Sequence, residues 1–297
     1  MFEKIKGTNA GLVYTKNTEH LVSTISRECM LPIYKSNVQV FASSEICVSV
    51  FQNLDTAVLL ASTITNDDWM ELFFLLDALR DVEKIILCMP YCGYLRQNHV
   101  DQLTSRGAFV LQRFLASFHN VQHCILVDAH TEQTSTISAS HLHFATQICD
   151  DIKSISDDCV IVSPDFGGIY RCKNVADSIN ADIAIFNKKR NVFGNLVDVS
   201  LIGNVKNRHC IIVDDIVDSG ATICATAEKL IAVGAKDVRA YVTHVLLNCG
   251  AIKNIENSPI CDVVISNTLH LHDVLPEKFR VISINSLIIE TIRSIVR

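Results

Sequence analysis

No Cys-x-x-Cys pair occurs among the 12 cysteines of this 297-residue chain, and several of them sit inside apolar runs (Cys47, Cys88, Cys124, Cys159, Cys210). They read as buried, reduced thiols of an intracellular, cytoplasmic protein, not as a redox or disulfide framework. Basic residues are not in excess: 26 Lys and Arg stand against 32 Asp and Glu, for a net charge of -6. That balance argues against broad nucleic-acid binding, which needs positive surface to displace counterions. No apolar run reaches the length of a membrane span, so no membrane partner is expected. Residues 1–8 are charged and polar, without secretory character. Both the Gly-Lys-Ser/Thr phosphate loop and the Gly-x-Gly-x-x-Gly fingerprint are missing. No long low-complexity linker interrupts the chain.

What is present is a regular alternation. Short, continuous, β-branched apolar runs fall at 57–60, 84–89, 123–128, 159–163, 182–186, 210–214, 238–245, 261–266 and 281–284. Helix-compatible segments fall at 68–80, 106–118, 169–179, 221–233 and 286–296. Continuous rather than alternating apolar strands indicate sheets covered on both faces. The alternation with helices predicts an α/β fold with largely parallel sheets. In such sheets ligands bind beyond the carboxyl ends of the strands, and several of the predicted strands end in polar residues. With 49% hydrophobic residues the chain can fill buried cores, and its length suggests two domains. The polar stretch 131–140 is the expected boundary, giving domains 1–139 and 140–297. The halves look architecturally alike without a visible sequence repeat.

The richest segment is Cys210-Ile211-Ile212-Val213-Asp214-Asp215-Ile216-Val217-Asp218-Ser219-Gly220-Ala221-Thr222. It reads as a strand, an anion-binding turn and a helix start. Backbone N–H groups and the positive end of the helix suit a phosphate, Gly220 permits close approach, and Ser219 and Thr222 can donate. Carboxylates beside an anion site make sense when the ligand also carries hydroxyls or a metal, as a ribose phosphate or a magnesium-bound phosphate does.

This order of residue types resembles the signature of enzymes that handle phosphoribosyl pyrophosphate. With the other strand-end motifs, the chain resembles the ribose-phosphate pyrophosphokinase family over most of its length. The resemblance implies two phosphoribosyltransferase-like domains, each a mostly parallel sheet flanked by helices, with the last helix packing back on the first domain. It implies transfer of the diphosphoryl group of MgATP to the 1-hydroxyl of ribose 5-phosphate, with Mg2+ as cofactor and a homo-oligomeric assembly. Residue by residue it places the ribose 5-phosphate 5-phosphate at Asp218, Ser219, Gly220, Ala221 and Thr222, and the ribose hydroxyls at Asp214 and Asp215. Pro90-Tyr91-Cys92-Gly93-Tyr94-Leu95-Arg96-Gln97 is similar to the ATP-contacting motif, with Arg96 offering a planar fork of donors. Asp128-Ala129-His130 and Ser163-Pro164-Asp165-Phe166-Gly167-Gly168 match the motifs that hold metal and ATP, which gives His130 and Asp165 as metal residues. Asn187-Lys188-Lys189-Arg190 begins the segment similar to the family's catalytic loop. Lys188 and Arg190 are its cations, there to stabilise charge on the transferring group.

Three places depart from the family pattern. Phe41-Ala42-Ser43-Ser44-Glu45 stands where the family carries Phe-Ser-Asp-Gly-Glu, so Phe41 and Glu45 are retained for the nucleotide pocket and the acid and glycine between them are lost. Asn98-His99-Val100 lacks the acid and basic residues that follow in the family, and the segment after Gln133 is a few residues shorter. Two other readings draw on the same residues. In one, the chain is a non-catalytic, synthetase-like regulatory subunit, which the altered 41–45 loop favours and the retained Lys188, Arg190, His130 and Asp165 oppose. In the other it is a phosphoribosyltransferase, which the 218–222 loop permits.

Overall fold

Strands of five or six residues that are buried on both faces, such as Thr56–Leu60 and Cys159–Ser163, need helices above and below them, and the chain supplies these in alternation. The computed structural model describes residues 9–51, 53–98, 104–131, 137–153, 158–190, 196–248, 250–271 and 274–296, with backbone alone for 188–190 and 196–199. The chain divides into two compact units.

Unit 1 takes in Met1–Leu142, Thr268–His270 and Ile284–Arg297. Its elements in order are β1 (Ala10–Tyr14), α1 (Glu19–Cys29), β2 (Ile33–Lys35), β3 (Asn37–Val40), β4 (Ile46–Ser49), β5 (Thr56–Leu60), α2 (Asn66–Ala78), β6 (Lys84–Met89), α3 (Gly107–Ala116), β7 (Val121–Val127) and β8 (Ser138–Leu142). Six strands form one sheet in the order β2-β1-β5-β6-β7-β8, and β3-β4 stand apart as an antiparallel pair. All pairings in the six-stranded sheet are parallel. Helix α2 presses Leu72, Leu75 and Leu76, each fully buried, onto Leu59 and Leu87 of the sheet. Its start is fixed by a capping box. Thr65 accepts from the Asp68 N–H, and the Asp68 carboxylate accepts from the N–H groups of Ile64 at 2.8 Å and Thr65 at 2.6 Å. Such a cap contributes about 1 kcal/mol.

Unit 2 takes in His143–Asn267 and Leu271–Ser283. It runs α4 (Ala145–Lys153), β9 (Cys159–Ser163), α5 (Ile169–Ile179), β10 (Asp182–Arg190), β11 (Leu196–Ile202), β12 (His209–Val217), α6 (Ala221–Ala232), β13 (Asp237–Val245), α7 (Ala251–Glu256), β14 (Ile260–Ser266) and β15 (Phe279–Ile282). The sheet order is β11-β10-β9-β12-β13-β14-β15, parallel throughout except where β11 returns antiparallel to β10. Its core joins Val160, Ile212 and Ala240 of the sheet to Ala227 and Leu230 of α6. The final helix, α8 (Asn285–Val296), belongs to unit 1, where Arg293 donates to the Glu28 carbonyl and carboxylate at the end of α1.

With β11 and the β3-β4 pair set aside, both sheets have one order. In each unit the second strand lies outside the first, and the remaining four follow on the other side. The architectural likeness read from the alternation is therefore a shared topology. Four of the five thiols singled out in apolar runs are buried; Cys47 is exposed, because β4 belongs to the two-stranded pair rather than to a covered sheet. No helix among the described residues is long and apolar enough to cross a membrane.

Candidate active site

In unit 2 the chain reverses its direction of travel across the sheet between β9 and β12, the position where open α/β sheets bind ligands. Both flanking loops carry polar residues. Strand β12 runs three residues past the position expected from its apolar run, with Ile216 paired to His244 and Val217 to Val245. Asp214 and Asp215 therefore lie in the strand, and the turn itself is Asp218-Ser219-Gly220. Gly220 has φ +77°, and a Cβ there would meet Ile255 Cγ1 at 3.1 Å, so glycine is required on both counts.

Two asparagines hold the turn. The Asn248 side chain donates to Asp218 Oδ1 at 2.9 Å and its backbone N–H donates to the Asp218 carbonyl at 3.0 Å. Asn254 Nδ2 donates to the Ser219 carbonyl at 3.1 Å. Ser219, Ala221 and Thr222 are exposed at the start of α6, whose first-turn N–H groups have no acceptor within the helix. This is an anion cradle with a fixed backbone.

Beside it, the acid pair is tied to α5. Arg171 Nη2 lies 3.3 Å from Asp215 Oδ2 and Nη1 lies 3.8 Å from Asp214 Oδ1. Burial, with the neighbouring Asp215 charge behind it, pushes the Asp214 carboxyl up to about 8, and Arg171 opposes the rise. The adjacent Cys172 thiol, which donates to the Val213 carbonyl at 3.5 Å, is pushed up to about 12 by burial and is a packing group. Asp165, exposed on the loop after β9, accepts at Oδ1 from the N–H groups of Gly167 at 2.9 Å and Gly168 at 3.3 Å. These bonds form the turn into α5 and leave a carboxylate with further acceptor capacity.

In unit 1 the segment after β6 is set against the loop after β5. The Gly93 N–H donates to both the Thr63 carbonyl and its hydroxyl at 3.1 Å. A Cβ on Gly93 would fall 2.3 Å from the Thr63 carbonyl oxygen. Arg96 and Gln97 are exposed at the end of this segment, and the Gln97 carbonyl accepts from the Ala108 N–H at the start of α3. Asp128-Ala129-His130 follows β7, the neighbour of β6, with Asp128 buried and His130 exposed. Phe41 and Glu45 close the β3-β4 pair through the Phe41 N–H to Glu45 carbonyl bond, at 2.8 Å. Between them Ser43 donates to the Glu45 carboxylate at 2.9 Å, and Ser44 adopts a left-handed φ of 68° at the position where the family carries glycine.

The structure thus gathers Asp165, Asp214, Asp215 and the 218–222 turn at one sheet edge of unit 2. It sets Arg96, Gln97 and His130 beyond adjacent strands of unit 1. Lys188 and Arg190 lie on β10, where their backbones pair with Val199 and Leu196 of β11, so the segment expected to begin as a loop at Asn187 is still strand; the side chains of both cations lie outside the described residues. His99, Val100 and Gln133 also lie outside them.

Sequence reasoning missed Arg171, Asn248 and Asn254. Arg171 left a readable signal. A guanidinium in the first turn of a helix opposes the helix dipole, so it calls for a carboxylate partner. The asparagines left none, since they come from a different crossover and only the sheet order brings them to the turn.

A model of the N-terminal domain of ribose phosphate pyrophosphokinase matches residues 10–118, and one of the phosphoribosyl synthetase-associated domain matches residues 184–297. The ribose-phosphate pyrophosphokinase of Bradyrhizobium diazoefficiens is 34% identical, over 97% of this chain and 95% of its own. That of Brucella melitensis is 32% identical, over 92% of each chain. The crystal structure of phosphoribosylpyrophosphate synthetase from Mycobacterium smegmatis superposes with a TM-score of 0.86 at 25% identity, covering 97% of this chain and 98% of that one.

Proposed function

Because the chain belongs to the ribose-phosphate pyrophosphokinase family, we propose that it transfers the diphosphoryl group of ATP to the 1-hydroxyl of ribose 5-phosphate, giving phosphoribosyl pyrophosphate and AMP. The observation that carries the sugar half is the braced 218–222 turn beside an arginine-held acid pair. Amides of residues 219–222 and the hydroxyls of Ser219 and Thr222 bind the 5-phosphate. Asp214 and Asp215 accept hydrogen bonds from the ribose hydroxyls and so orient the 1-hydroxyl. The C-terminal domain, 140–297, serves the sugar phosphate.

The N-terminal domain, 1–139, serves the nucleotide. Arg96 and Gln97 hold ATP, and Phe41 and Glu45 border the base. Ser43 and Ser44, in place of the family's acid and glycine, change the lining there. Lys188 and Arg190 neutralise charge on the transferring group. The exposed Asp165 carboxylate of unit 2 offers hard oxygen donors of the kind Mg2+ takes and would hold such an ion there; in unit 1, His130 is the residue proposed for metal and ATP. Bound there, Mg2+ neutralises phosphate oxygens. The enzyme works as a homo-oligomer in the cytoplasm.

The deciding experiment incubates purified protein with Mg2+, ATP and ribose 5-phosphate and follows AMP and phosphoribosyl pyrophosphate together. Stoichiometric appearance of both is expected. Absence of AMP across varied magnesium and phosphate concentrations would refute the proposal.

A further inference from the structure

Consecutive residues on a strand point to opposite faces of the sheet. Asp214 and Asp215 are consecutive on β12, yet a carboxylate oxygen of each lies within 3.8 Å of one guanidinium. The Asp214 carboxylate also accepts, at 3.0 Å, from the Asp215 N–H. The two acids therefore converge at the head of the strand, and the group at their point of convergence is Arg171. It reaches them from α5, the helix that follows the Asp165 turn; its Nη1 stands 3.8 Å from where a Gly168 Cβ would be. All three side chains are largely shielded, with exposures of 17% for Arg171, 19% for Asp214 and 7% for Asp215.

We propose that Arg171 is a positioning residue for ribose 5-phosphate: its fork fixes Asp214 and Asp215 as a convergent pair of acceptors for the sugar hydroxyls and ties that pair to the Asp165 turn. The inference rests on the ribose 5-phosphate reading of the site. A guanidinium suits the task because its donors lie in a rigid plane and can serve two carboxylates at once, whereas an ammonium is a single point of charge. A carboxylate has several lone-pair sites, more than one guanidinium fork can occupy. A guanidinium in the first turn of α5 also works against the helix dipole, so its place is not explained by the helix that carries it.

The test compares Arg171→Met, Arg171→Lys and the unaltered protein by initial rates with each substrate varied in turn, alongside thermal midpoints and ribose 5-phosphate binding by calorimetry. Arg171→Met should raise the KM for ribose 5-phosphate by roughly 10–100-fold while leaving the KM for ATP within about twofold. Arg171→Lys, which keeps the charge and loses the fork, should recover part of that loss. A merely structural role would move the midpoint and both KM values together, and that outcome, or an unchanged KM for ribose 5-phosphate in a folded Arg171→Met, overturns the proposal. If Arg171→Met does not fold, Arg171→Lys at an unchanged midpoint carries the test, and an unaltered KM for ribose 5-phosphate in it refutes the fork. If the unaltered protein makes no phosphoribosyl pyrophosphate, the functional reading fails. Calorimetry then judges Arg171 separately: weaker ribose 5-phosphate binding in the variants supports its role, and equal binding refutes it.

Discussion

Replacing Asp214 with asparagine should make the ligand-free protein more stable at alkaline pH while weakening its hold on ribose 5-phosphate. The carboxyl of Asp214 is pushed up to about 8, first by burial and then by Asp215, from an unfolded value near 3.9. A group whose folded pKa is raised contributes stability that is present below the unfolded pKa and lost as pH climbs through the folded one. Wild-type stability should therefore decline between about pH 4 and pH 8, and the variant, which has nothing to ionise at this position, should not share that decline. The ceiling is about 1.4 kcal/mol per pH unit over the window. Residual solvent access to a side chain that is 19% exposed, and Arg171 at 3.8 Å, lower it; on the order of 2–3 kcal/mol by pH 8 is expected. For a chain of this size that corresponds to roughly 3–5 °C in thermal midpoint. The Arg171–Asp215 contact at 3.3 Å survives the change, so no buried cation is stranded. The substitution also removes one carboxyl partner for the sugar hydroxyls, about 0.5–1.5 kcal/mol of ribose 5-phosphate affinity. Midpoints of both proteins measured from pH 4.5 to 9, with calorimetric titration of ribose 5-phosphate, test both halves. Parallel midpoint curves across that range would refute the reasoning, because they would show that Asp214 ionises in the fold as freely as in water.

Two further substitutions probe other parts of the site. Gly93→Ala places a methyl 2.3 Å from the Thr63 carbonyl oxygen, so the 90–97 segment must move off the β5 loop; a loss of roughly 2–4 kcal/mol in chemical denaturation is expected, and an unchanged transition would contradict it. Lys188→Ala should lower turnover on the order of 10²–10⁴-fold with ribose 5-phosphate binding intact in calorimetry, and unchanged turnover would remove Lys188 from its assigned role.

Most strands that are continuous apolar runs were legible, but β1 (Ala10–Tyr14) is such a run, buried at every position, and was not read. Some of the elements that escaped notice have identifiable physical reasons. Helix α1 is rich in β-branched and hydroxyl residues (Val22, Ser23, Thr24, Ile25, Ser26), which are weak helix formers; it is held by burying Leu21, Val22, Ile25 and Cys29. The β3-β4 pair has few buried residues and so no burial pattern to read. The extension of β12 past Asp214, to Val217, depends on β13 alongside it, which local propensity does not encode. At the site, the residues proposed to bind phosphate and sugar, Asp214 to Thr222, lie together in sequence and could be read as a motif. Those that hold them in place, Arg171, Asn248 and Asn254, come from elsewhere in the chain, and sheet order alone brings them in.

The shared topology sets the loop after β5 in unit 1 as the counterpart of the 218–220 turn after β12. In unit 2 the Ala221 N–H, the first of α6, donates to the Ser219 hydroxyl at 3.4 Å. In unit 1 the amides of Ile64 and Thr65, just ahead of α2, are taken by the carboxylate of Asp68, which Asn17 steadies from the β1 side at 2.6 Å. A tethered anion competes at an effective concentration that few dissolved ligands reach. One topology thus carries two differently partnered turns: a carboxylate from the first turn of α2 fills the amides ahead of that helix, while a hydroxyl is the partner at the start of α6.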